Sequence, residues 1–136
     1  MDNNSVRPRI NVTVSILSLL TIIGVVRFAV AHERRRLSEY LQSMYQELNK
    51  QFFDNALPTT RIEWSDLTDK HYIGETYQES DGSFVILVDR ATNLFDSDLS
   101  DTVAHETCHT VTWRREEDPH GPLFQACMAS IKANKY

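Results

Sequence analysis

Leu37, Leu41, Met44, Leu48 and Phe52 recur at intervals of three or four, as one apolar helix face requires, and predict an amphipathic helix over about residues 34–53. Tyr40 and Tyr45 flank that stripe and read as aromatics at its boundary. Asp54, Asn55 and Pro58 end the helix. Arg61-Ile62-Glu63-Trp64 then alternates like a short strand, and residues 73–78 and 83–89 predict two more, joined through Ser80-Asp81-Gly82 as a hairpin turn. Residues 98–113 lack Gly and Pro, and Asp96, Ser97 and Asp98 offer N-cap oxygens to a second helix. A last helix starts at Pro122, a favoured first helical residue, with Leu123, Phe124, Cys127, Met128 and Ile131 as its apolar side. A helix, a small three-stranded sheet and two further helices make an α+β domain. Residues 83–88 are the expected sheet edge, where an extended substrate would add as a strand.

Upstream, residues 10–26 run uncharged and rich in Ile, Leu and Val between Arg9 and Arg27. That length is the lower limit for a membrane-spanning helix, and five Asn, Thr or Ser residues dilute it. Three readings of residues 1–31 stay open: a membrane anchor, a secretory signal with Ala29-Val30-Ala31 as an A-x-A cleavage site, or an extension packed on the domain formed by residues 32–136. Arg27 stands late for a signal peptide.

The chemistry is concentrated in the second predicted helix, at His105-Glu106-Thr107-Cys108-His109, with His120 following after ten intervening residues. Residues four apart on a helix share a face, so His105 and His109 can ligate one metal ion. Glu106 lies one residue round from that face and can reach a water on the metal without ligating it, the position of a general base. Catalytic zinc takes three protein ligands and keeps a fourth position for water. His120 is the best third ligand. Glu116, Glu117 and Asp118 are its rivals, although adjacent acids in a loop are commonly just solvated. His71, in a polar stretch, and His32 have no spacing that recommends them as ligands.

His120-Gly121-Pro122-Leu123-Phe124 after H-E-x-x-H resembles the H-G-x-x-F element of SprT-like zinc metalloproteases. Tyr45, Leu48, Asn49, Phe52, Phe53, Leu57, Pro58, Ile62 and Trp64 are similar to that family's helix and first strand, and Gly74-Glu75-Thr76-Tyr77 to its G-x-x-Y strand. The resemblance covers residues 36–131. It implies a minimal zincin-like metalloprotease core with one Zn2+ on His105, His109 and His120 and with Glu106 as catalytic base. The second-turn glycine and short spacing of metzincins are absent. Many relatives carry a cysteine zinc ribbon or another nucleic-acid-binding tail, whereas two cysteines cannot make a four-cysteine site. Likeness to crosslink-repair proteases therefore supports peptidase chemistry better than a DNA partner.

Charge points the same way. The 136 residues carry a formal −5, and residues 1–31 hold Arg7, Arg9 and Arg27 against Asp2. Eleven basic and eighteen acidic residues remain beyond them, a formal −7, which disfavours broad attraction to phosphate backbones. Arg34, Arg35 and Arg36 form a short basic run of the kind found at a solvated helix start or a membrane flank. Cys108 and Cys127 read as two buried free thiols, since a disulfide requires the last two helices to bring them together in an oxidising compartment. The reading is a zinc-dependent endopeptidase acting on a protein or peptide, with Tyr77 as a candidate oxyanion donor. Its rival is a non-catalytic zinc-stabilised binding module, with single-stranded DNA as one partner to test.

Overall fold

A computed structural model describes residues 12–134, with side chains from Ser18 onward. The chain divides into two units, Met1–Arg35 and Arg36–Tyr136. Helix α1 runs Val12–Phe53, far longer than the stripe beginning near residue 34 predicts. Between its ends no Pro interrupts the chain and Gly24 is the sole glycine, so helical hydrogen bonding continues after the amphipathic period is lost. In the first unit Leu19, Leu20, Ile22, Val25, Val26 and Phe28 are each more than half exposed. Arg7, Arg9 and the first two residues of the 10–26 run lie outside the described residues. Among the described residues no helix is long and apolar enough to cross a membrane.

The second unit begins with the C-terminal part of α1. Asp54 and Asn55 end that helix in the left-handed region, at φ 50° and 60°, which Asp and Asn tolerate better than most side chains. The amide of Leu57 then donates to Asn49 Oδ1. Strands β1 (Thr60–Ser65), β2 (Gly74–Gln78) and β3 (Phe84–Asp89) form one sheet in the order β1-β3-β2, with β1 parallel and β2 antiparallel to β3. The β2–β3 turn is the predicted one. Gly82 takes φ 89° there, a conformation that side chains resist, and the amide of Ser83 donates to Asp81 Oδ1.

The expected sheet edge is corrected by this order. Residues 83–88 fall almost wholly within β3, which is hydrogen-bonded on both sides. Phe84-Val85-Ile86-Leu87-Val88 is continuously apolar, as suits a strand covered on both faces. β2 is the edge strand that touches helix α2 (Asp96–Thr112). Helix α3 (Pro122–Ala133) starts where Pro122 predicts, with the proline in its first turn.

Two apolar clusters hold these elements together. Leu41, Tyr45, Ile62, Ile86, Val88, Leu99 and Val103 join α1, the sheet and α2; Ala104, Cys108, Phe124 and Ile131 join α2 to α3. Leu48 packs against both clusters, so the C-terminal end of α1 braces the whole unit. Tyr45 is core, not boundary. It is 3% exposed, and its hydroxyl meets Pro58 O and Thr60 Oγ1 at 3.0 and 2.8 Å. Tyr40 stays exposed, as expected.

Helix α2 is anchored by polar groups behind its N-terminus. The N-cap is Phe95, without a side-chain cap, so the expected capping oxygens do not cap; Asp96 and Asp98 instead lie in the first turn, where negative charge suits the helix dipole. Buried Asp89 accepts from the amides of Leu67, Ala91 and Thr92 and from Thr92 Oγ1. Asn93 donates to Ile73 O and Asp89 O, and accepts from Thr102 Oγ1 on α2 at 2.6 Å. The hydrogen bond from Leu67, helped by those from Thr92 and Ala91, holds the Asp89 carboxyl below its usual range. A depressed pKa means that this contribution is present above the unfolded value of about 3.9 and is lost as pH falls through the folded one. Asp89→Asn turns an amide NH2 toward one set of donors and is expected to cost about 1–3 kcal/mol. Urea midpoints against pH check this: the variant should fall below wild type at neutral pH, and the gap should narrow under acid.

Candidate metal centre

His105 and His109 project from α2 and His120 from the segment entering α3. Their three Nε2 atoms lie 3.2 Å from one another. Each neutral imidazole has one N–H, so three Nε2 atoms meeting at one point cannot all be paired with one another, whereas a cation between them satisfies all three lone pairs. Zinc–imidazole bonds of about 2.0 Å in a tetrahedral shell place nitrogens about 3.3 Å apart, so the spacing fits such an ion. Burial, with smaller contributions from neighbouring cationic groups, lowers the pKa of His105 and brings that of His109 to about 4. Both therefore stay in the neutral, ligating form at physiological pH.

The His120 loop is held from both sides. The His120 amide donates to Asp118 Oδ1 at 2.9 Å, and Gln125 Nε2 donates to His120 O at 3.1 Å. Glu116 accepts from the amides of Leu123 and Phe124, satisfying the open N-terminus of α3. Two of the three rival acids, Glu116 and Asp118, thus serve the backbone that positions His120, and among the described residues the metal cluster consists of the three histidines, without Glu117. Gly121 makes this possible: a Cβ there would fall 2.6 Å from Glu116 Oε2.

Two contributors were not legible as site residues. The Phe124 ring, 3% exposed, packs 4.6–4.8 Å from all three imidazoles, stacked on His109 and edge-on to the others. The H-G-x-x-F spacing marks this position, but the contact depends on how α3 crosses α2. Thr76 on β2 donates its hydroxyl to Glu106 Oε2 at 2.6 Å. Beside it, a Cβ on Gly74 would meet the Glu106 side chain at 2.6–2.9 Å, so only glycine admits the carboxyl against the strand. Glu106 is 3% exposed, and burial raises its pKa to about 7 against the lowering effect of the Thr76 hydroxyl. Since Gly74 and Thr76 face Glu106, strand alternation puts Tyr77 on the opposite face, and no oxyanion role is assigned to it.

Cys108 and Cys127 form a disulfide, which corrects the expectation of two free thiols. Cys108 lies on the α2 face turned to α3, and the Cα atoms are 5.8 Å apart, within bridging range. His32 and His71 lie outside the cluster, as expected; both are exposed, and His71 takes φ 56° after a short turn.

Fold and site together define an α+β domain of the H-E-x-x-H type, with three imidazoles placed for one metal ion and a buried glutamate on the same helix. The SprT-like family model matches residues 41–136, and the chain belongs to that family, whose membership is compatible with a metalloprotease-related function. No curated protein matches the sequence.

Proposed function

We propose that the protein is a zinc-dependent endopeptidase. The observation that carries this reading is the meeting of three Nε2 atoms at 3.2 Å with a buried carboxyl, Glu106, on the helix that presents two of them. His105, His109 and His120 would hold the ion. Bound there, zinc would supply Lewis acidity for the scissile carbonyl and lower the pKa of a water to about 7.

Glu106 supplies the proton chemistry. Its carboxylate would take a proton from the attacking water and return it to the leaving amine. Thr76 fixes one of its oxygens, and the other lies against Gly74 of the same strand. The free edge of β2, running Gly74–Gln78 beside α2, suits an extended peptide that adds as a fourth strand. Protein or peptide is thus the substrate class, and the acidic charge of the chain argues against phosphate backbones as the main attraction.

Cleavage of an unfolded protein tests the proposal. The zinc-loaded chain should cut it, a chelator should abolish cutting, and added zinc should restore it. Absence of cleavage by chain with one zinc bound would overturn the reading.

A further inference from the structure

We propose that the cavity beside His109 is a specificity pocket that receives one large apolar substrate side chain. This rests on the endopeptidase reading above. The cavity measures about 230 Å³ and is lined by His109, Thr112, Trp113, Arg114, Glu116 and Pro119. It shares His109 with the metal centre, so a side chain seated in it belongs to a residue whose backbone lies close to the reacting carbonyl. The volume is below the roughly 300 Å³ at which pockets for whole small molecules begin, and suits a single side chain.

The lining sets the chemistry. The Trp113 indole and the Pro119 ring supply apolar wall. Thr112 donates its hydroxyl to Cys108 O, and Glu116 accepts from the amides of Leu123 and Phe124, so both polar side chains already have partners within the fold. The walls are also fixed in advance. Trp113 stands edge-on to Phe84 at 5.5 Å between ring centres, and Glu116 is tied to the start of α3. A preformed pocket loses little to ordering when it is filled.

One local cost falls on this wall: Arg114 takes φ 54°, backbone strain of the kind that gathers where a surface is shaped for a ligand.

Mapping the cuts made by the zinc-loaded full chain in a library of unfolded peptides tests the pocket. The expected result is a preference of about 10-fold or more, in kcat/KM, for Leu, Met or Phe over Ser or Asp at one fixed position next to the cut. Trp113→Phe, which keeps a ring against Phe84 but shortens the wall, should shift that preference toward larger side chains. Pro119→Ala, away from the Phe84 contact, should weaken it and serves if the Trp113 variant does not fold. One zinc per chain in each variant shows that the metal centre is intact. Cleavage without an apolar preference at any fixed position, or a preference unchanged in both variants, overturns the pocket. No cleavage by the zinc-loaded wild type overturns the endopeptidase reading instead.

Discussion

Replacing Glu106 by Gln is expected to leave zinc binding stoichiometric while peptide cleavage falls by about 10²–10⁴-fold, the range that a positioned general base contributes. The substitution keeps the size of the side chain and an oxygen for the Thr76 hydroxyl, so the contact between α2 and β2 survives. It removes the group that takes the proton. The burial that raises the glutamate's pKa to about 7 penalises its charged form, and a neutral amide bears no such penalty; the variant should be at least as stable as wild type. His109→Ala, by contrast, should lose both zinc and cleavage. Zinc per chain, measured beside initial cleavage rates, checks the pair, and an active Gln variant would remove Glu106 from its role.

Loss of the Cys108–Cys127 disulfide should be the largest effect on stability. The bridge joins residues 19 apart, and the closed loop contains both His109 and His120. Cross-linking a loop of that size restricts the unfolded chain by about 3 kcal/mol. For a domain of this size the corresponding fall in Tm is on the order of 10–20 °C. Zinc on His109 and His120 would tie together the same two segments, so the two constraints overlap and their effects should not add. Thermal melts of the wild type and of Cys108→Ala/Cys127→Ala, each with and without zinc and reductant, resolve this. The double variant should melt low and ignore reductant, and zinc should recover more Tm in it than in the oxidised wild type. An unchanged Tm on reducing the zinc-free wild type would contradict the structural role of the bridge.

Local signals made most elements legible. The 3.6-residue period fixed the C-terminal half of α1, Pro122 fixed the start of α3, and Asp81-Gly82 fixed the hairpin. The convergence of His105 and His109 follows from helix geometry, and that of His120 from the short loop and the helix after it. What was not legible depends on neighbours distant in sequence. Strand order decides that β3 is central, and nothing in residues 83–88 except their unbroken apolar run announces it. The Thr76–Glu106 hydrogen bond spans thirty residues, the disulfide depends on the packing of α3 on α2, and Phe124 reads as an ordinary core residue until its ring is seen against three imidazoles. The N-cap of α2 differs because the helix begins at Asp96, which places all three candidate oxygens inside its first turn and leaves Phe95 at the cap.

X-ray absorption at the zinc edge, on the zinc-loaded wild type and on His120→Ala, tests the central claim most directly. The expected wild-type shell is one zinc per chain with three imidazole nitrogens at about 2.0–2.1 Å and one oxygen from solvent, and the variant is expected to lose that shell. A shell of four protein ligands, or one that is unchanged when His120 is removed, would contradict it.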